Sequence, residues 1–134
     1  MPERIQRRRE KGWRLPGAAR IVDRTSRWGN PWIIRERLAE RGPADNDAGQ
    51  PIPGKWVYDV HNADTGHFER TCETREEAHR LAVRMYRDVT LPNRLDTGQL
   101  DPTELAGLDL ACWCPPSLDC HADVLLQLAN KETP

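Results

Sequence analysis

Leu108-Asp109-Leu110-Ala111-Cys112-Trp113-Cys114-Pro115-Pro116-Ser117-Leu118-Asp119-Cys120-His121-Ala122-Asp123-Val124-Leu125-Leu126-Gln127-Leu128-Ala129-Asn130 reads as strand, loop and helix in close succession. Leu108 to Trp113 has the apolar character of a strand, and the Pro115 to Asp119 run cannot continue it. Val124, Leu125 and Leu128 then recur at helical spacing between His121 and Asn130. On a strand Cys112 and Cys114 share one face while Trp113 takes the other. Upstream, Asp101-Pro102-Thr103-Glu104 starts a short helix that Gly107 stops. The order helix, strand, loop, helix predicts an α/β fold, a small Rossmann-like sheet with helices packed on it. In such sheets ligands gather at the carboxyl ends of strands, against helix N-termini.

Further from this stretch, Thr74-Arg75-Glu76-Glu77 is a capping box. Ala78, Leu81, Ala82, Met85 and Val89 follow at helical spacing, which predicts a helix ending before Pro92. Trp56 to His61 alternates, Asn62 to Gly66 breaks the pattern, and His67 to Cys72 resumes it, as a β-hairpin insertion would. Ala19 to Val22 suits a short buried strand, and the chain then turns through Arg24 to Trp32. Residues 33–55, with their Pro/Gly/Asp/Asn-rich centre from Gly42 to Gly54, read as a loop-rich insertion. Residues 1–17 read as a basic arm on a single domain spanning 1–134.

Composition bounds what such a domain can be. With 134 residues the chain suits one domain. At 37% hydrophobic and 31% charged residues, and a mean hydropathy of -0.79, its core must be small. No apolar run approaches the ~18 residues of a membrane span. No apolar stretch follows the basic start, so a secretory signal is not expected. Four Cys, two of them in Cys-x-Cys, do not form a secreted disulfide pattern, so a reduced, cytoplasmic setting is expected. The net charge of -1 hides an asymmetry. Met1 to Arg27 carries nine Lys+Arg against three Asp+Glu, and the rest eleven against eighteen. Such an arm can draw phosphate groups or nucleic acid, or can be a solvated leader whose removal spares the fold. Against nucleic acid stands a pI near 6.4.

Cys112, Cys114, Cys120 and His121 lie within ten positions. At the first turn of the last helix, free N–H groups and the helix dipole favour a Cys120 thiolate. His121 can supply or hold its proton, and Asp123 in the same turn can orient His121. One reading is therefore a reactive-thiol or anion site built on Cys114, Cys120, His121 and Asp123. A second is a Cys3His zinc site on Cys112, Cys114, Cys120 and His121, although Cys-x-Cys departs from the usual knuckle spacing. A third makes the cysteines small core residues, as Cys72 is expected to be. Neither GxxxxGK[ST] nor GxGxxG occurs, which removes the standard glycine loops for nucleotides.

Arg24, Arg27, Trp28, Gly29, Asn30 and Pro31 form a second polar-aromatic group. Arg can hold phosphate bidentately, Trp can stack on a base, and Asn can read an amide or hydroxyl edge. The competing reading has Trp28 and Trp32 plugging the core while Asn30-Pro31 turns the chain. Trp28, Asn30, Cys114, Cys120 and His121 are expected to line one pocket.

Trp28-Gly29-Asn30-Pro31-Trp32, the Thr-Arg-Glu-Glu helix start reaching Tyr86-Arg87, and Leu110 to Pro115 with Cys120 to Leu125 together resemble the family called domain of unknown function 4326. That family occurs in bacteria and their phages, and the likeness runs from about Ile21 to Leu128. The family usually has Phe at the Trp32 position and Gly at the Ala122 position. The resemblance implies a compact α/β domain in a bacterial or phage-infected cell and no established activity. The tail also resembles domain of unknown function 488, which has Cys-x-Glu on the strand and Cys-His-Arg at the helix. A strand Cys replaceable by Glu suits a polar pocket better than a structural zinc site, and no stoichiometric zinc is then expected. The leading expectation is a small enzyme acting on a nucleotide, nucleobase or phosphorylated small molecule. The alternative is a zinc-stabilised module that binds nucleic acid or protein.

Overall fold

A computed structural model describes residues 2–17, 19–39 and 54–130. The chain runs β1 (Arg4–Gln6), β2 (Arg20–Ile21), β3 (Trp32–Ala39), β4 (Lys55–Asn62), β5 (Phe68–Cys72) and α1 (Arg75–Met85). A π-helical turn (Tyr86–Thr90), α2 (Leu91–Asp96), a 3₁₀ turn (Pro102–Leu105), β6 (Leu110–Cys112) and α3 (His121–Ala129) follow. This is a mixed α/β architecture with two three-stranded sheets, ordered β1-β6-β2 and β3-β4-β5. No helix among the described residues is long and apolar enough to cross a membrane.

The first sheet is parallel, with β6 between β1 and β2. Leu110, Ala111 and Cys112 are all buried, as a central parallel strand covered on both faces requires. The second sheet is antiparallel and includes the expected hairpin of β4 and β5. At its turn the Asn62 carboxamide oxygen accepts from the Asp64 and Thr65 amides at 2.8 and 3.0 Å. The Thr74 hydroxyl accepts from the Glu77 amide at 3.1 Å and caps α1. That helix buries Ala78, Leu81 and Ala82 against Trp32, Val60 and Cys72. Cys72 is thus a core residue. A second core gathers Val22, Trp28, Tyr86, Leu105, Leu110 and Leu125 around the parallel sheet and α3.

Three expectations are corrected. The basic arm is not a free leader: residues 4–6 form an edge strand of the parallel sheet, and the Arg7 amide donates to the Cys112 carbonyl at 2.7 Å. Arg4 also reaches Asp123 at 2.9 Å and the Pro116 carbonyl at 2.8 Å. Next, the segment read as a loop-rich insertion over 33–55 begins as strand, because Trp32–Ala39 pairs with Asn62–Lys55. Cross-strand charge supports it, with Arg37 bound to Asp59 at 2.8 Å. The Gly42 to Pro53 part of that reading lies outside the described residues. Finally, the helix does not end before Pro92. Tyr86–Thr90 widens into a π-helical turn, and Pro92 falls in the first turn of α2, where no N–H is needed.

Candidate functional site

All three parallel strands deliver their carboxyl ends to one edge. There the chain leaves β1 at Arg7, β2 at Val22-Asp23 and β6 at Trp113-Cys114, and the N-terminus of α3 closes the group at Cys120-His121. A cavity of about 410 Å³ opens on this edge. Asp23, Arg24, Thr25, Asn30, Trp32 and His79 line it opposite Cys112, Cys114, Cys120 and His121.

At its floor Cys112, Cys120 and His121 are all buried, and their Sγ and ring nitrogen atoms lie within 4.8 Å of one another. Cys114 Sγ stands 3.8 Å from Cys112 Sγ, and Cys120 Sγ stands 3.7 Å from His121 Nδ1. His121 Nε2 meets the Val22 carbonyl at 2.5 Å. A carbonyl only accepts, so Nε2 carries the proton and Nδ1 presents its lone pair beside the thiols. Burial pushes the His121 pKa down and keeps the ring neutral. The Tyr86 ring packs edge-on to it at 5.1 Å, and the Tyr86 hydroxyl donates to the Trp28 carbonyl at 2.8 Å.

The three thiols do not behave alike. Cys114 and Cys120 donate to Cys112, which holds the Cys112 thiol down at about 2. Donation to Cys112 pushes the Cys114 thiol up to about 12. Cys120 is also pushed up, by donation to Cys112 and Cys114 and by burial. This corrects the expected Cys120 thiolate. Cys120 does occupy the N-cap of α3, but its side chain makes no capping bond and is 1% exposed. Its sulfur turns toward the other sulfurs instead of the amides that would favour an anion.

The structure divides the remaining expected residues. Arg24 and Asn30 line the cavity. Asn30 also ties elements together, donating to the Ala82 carbonyl at 3.1 Å and accepting from the Trp32 amide at 2.9 Å. Trp28 does not line the cavity. It is 1% exposed in the core, so the core-plug reading holds for it, and Trp32 lines the cavity instead. Gly29 serves the turn: a Cβ there would lie 2.6 Å from the Arg24 Cα and 2.7 Å from the Asp23 carbonyl oxygen. The Pro31 carbonyl accepts from the Ala63 amide at 2.8 Å. Arg27 pairs with Glu104, away from the cavity. Asp123 pairs with Arg4 and lies outside the cavity lining, so it does not orient His121.

Sequence reasoning passed over two titratable groups. Asp23 is 2% exposed and binds Arg7 and Thr25, and burial, which would raise its carboxyl, is outweighed by the Thr25 and Arg7 hydrogen bonds that lower it. Its signal was its place, an acid directly after a short apolar strand. His79, on α1, has Nδ1 3.3 Å from the Asp119 carbonyl, and burial pushes its pKa down. Nothing in the α1 sequence separates His79 from a solvated histidine.

The chain belongs to the family described as domain of unknown function (DUF4326), whose model matches residues 5–131. No curated protein and no solved structure matches it.

Proposed function

We propose that this family member holds a zinc ion on Cys112, Cys120 and His121, and that the cavity above it binds and transforms a small, nucleotide-like phosphorylated molecule. The convergence of three buried soft ligands on one point at the cavity floor carries this reading. The spacings fit the metal. Zn–S near 2.3 Å and Zn–N near 2.0–2.1 Å in a tetrahedron give edges of about 3.8 Å between sulfurs and about 3.6 Å from sulfur to nitrogen. The Cys120–His121 separation is 3.7 Å, and the Cys112 sulfur lies within 4.8 Å of both ligand atoms. The Nε2 bond to Val22 supplies the outer-shell partner that a ligating histidine ordinarily has. Cys120, 1% exposed with its sulfur among the other soft ligands, suits a ligand better than an attacking thiolate.

Cys114 lies 3.8 Å from Cys112 but outside the mutually close trio, and it is only half-buried, at the cavity wall. With Cys112, Cys120 and His121 as the holding residues and Cys114 not ligating, a fourth position would be open to water or substrate. Zinc held there would supply water activation or polarisation of a carbonyl or phosphoryl oxygen. His79, neutral and with Nε2 left over from the Asp119 contact, is the group in the cavity suited to take a proton. Arg24 supplies positive charge at the mouth, and Trp32 an apolar wall. The placement at the carboxyl edge of a parallel sheet follows the Rossmann-like pattern of ligand sites.

A second reading rests on the 3.8 Å between Cys112 and Cys114. If Cys114 is a permanent fourth ligand, the site is closed and structural, and the chain is a zinc-stabilised binding module. Elemental analysis of purified protein tests both. We expect about one zinc per chain, lost in Cys112→Ser and in Cys120→Ser but kept in Cys114→Ser. Loss of zinc in Cys114→Ser favours the closed module. Absence of zinc, together with no thiolate-to-metal absorption on adding Co²⁺, overturns the metal centre.

A further inference from the structure

A second groove, of about 550 Å³, adjoins the cavity along α1 and shares Val83 and Asp119 with it. Arg80, Arg84 and Arg87 line it at positions i, i+4 and i+7 of one continuous helical run, and Arg70 of β5 faces them. The three helical arginines are exposed and span about 10 Å along the axis, at 1.5 Å per residue. Arg87 is tied to Asp88 and Arg70 to Glu77, while among the described residues Arg80 and Arg84 form no ion pair. Trp113, which lines the cavity and is 36% exposed, has the Arg7 and Arg9 guanidinium groups 4.6 and 5.0 Å from its ring. A row of cations thus adjoins the cavity, and an exposed aromatic–guanidinium stack belongs to its lining.

We propose that the substrate is presented as single-stranded nucleic acid, its phosphates along Arg80, Arg84 and Arg87 and a base against the Arg9–Trp113 stack, with one nucleotide in the cavity. This rests on the small-molecule reading of the cavity and names its substrate class. Three observations support a strand over a free nucleotide. The cationic row is longer than the phosphates of one mononucleotide need. It lies beside the cavity and not inside it. The stacking surface reaches the cavity itself, because Trp113 belongs to its lining. Single-strand sites combine these two elements, a cationic track and sequence-tolerant stacking.

Fluorescence anisotropy of a labelled oligothymidylate 12-mer with the full chain tests this, with zinc assayed in every sample. Neutralising three phosphates on a single strand gives a log-log salt slope of about -2, hence affinity about 20-fold weaker at 200 mM than at 50 mM salt. In Arg80→Gln/Arg84→Gln one contact remains, and the loss over the same range should shrink to about 3-fold, with weaker binding throughout. Trp113→Ala should weaken binding without changing the slope. No binding by zinc-loaded protein overturns the proposal and leaves the metal centre standing. An unchanged slope in the double variant, or competition by thymidine monophosphate as effective as by the 12-mer, also overturns it. Binding by protein found to lack zinc supports the strand surface while the metal centre fails.

Discussion

Asp23 is where one residue ties the sheet edge to the site. Its carboxylate accepts from the Thr25 amide and hydroxyl, both residues lining the cavity, and pairs with Arg7 just after β1. Burial alone would raise its pKa, and the hydrogen bonds from Thr25 and Arg7 outweigh burial and lower it. A lowered folded pKa means that the stabilisation is full above the unfolded value, near ~3.9, and disappears as pH falls through the folded value. Asp23→Asn should therefore cost about 2–3 kcal/mol at pH 7, in line with charged hydrogen bonds of which one partner, Arg7, is partly exposed. The gap to wild type should close as pH drops below about 4. Urea unfolding at pH 7 and at pH 3 checks this, and a gap that stays constant would mean that charge at Asp23 contributes nothing. His79 differs because its pKa is lowered by burial, so it stays neutral at pH 7 and its ring is available as a base.

At the scale of elements, α1, α3 and the central strands were legible, and α2 and two edge strands were not. The capping box at Thr74, the alternation of β4 and the apolar run of β6 are local signals, and local physics suffices for them. β3 was hidden because its middle reads Arg35-Glu36-Arg37, a charged run. Those side chains face outward, and Arg37 and Glu36 find Asp59 and Arg75 as partners. β1 was hidden because it has three residues and its partners lie more than a hundred positions away, at Asp109, Leu110 and Asp123. The same distance in sequence hid the Arg4–Asp123 pair, and the Arg7–Asp23 pair, only 16 positions apart, forms because β1 and β2 flank β6, so the cation-rich arm looked like a solvated tail. The four site residues of the tail were legible from type and spacing, but which thiol donates was not, since that depends on how the Cys120 sulfur turns. These contacts give the arm a structural role. Deleting Met1 to Lys11 uncovers one edge of β6, strands Asp23 without Arg7 and removes the Arg4 bonds to the loop before α3. The truncated chain should lose several kcal/mol, on the order of a buried ion pair's removal, and unfold at markedly lower urea. Equal urea midpoints for the full and truncated chains would show that β1 is dispensable.

The whole molecule is two small cores joined by one long helical run. The antiparallel sheet and α1 close over Trp32, Val60, Cys72, Ala78, Leu81 and Ala82, while the parallel sheet and α3 close over a second set that includes Cys112 and Cys120. Every proposed metal ligand belongs to the second half, whose strands are only two and three residues long. Such short strands offer few ladder hydrogen bonds, so that half has the lower intrinsic stability and the more to gain from a metal. A ligand that binds only the folded form adds RT ln(1 + [L]/Kd), about 2.7 kcal/mol at a hundredfold excess over Kd. Chelation should therefore act unevenly. Amide protection should fall in β2, β6 and α3 and persist in β4, β5 and α1. Thiol labelling gives a second readout of the same event. Iodoacetamide should reach the half-buried Cys114 first, Cys112 and Cys120 only after chelation, and the core residue Cys72 only on global unfolding. Tyr86, directly after α1, anchors the helical run in the parallel half through the Trp28 carbonyl and the His121 ring, so the opening should stop at that turn. Uniform loss of protection in both halves would show one cooperative unit, and no change on chelation would show that metal does not hold the parallel half together.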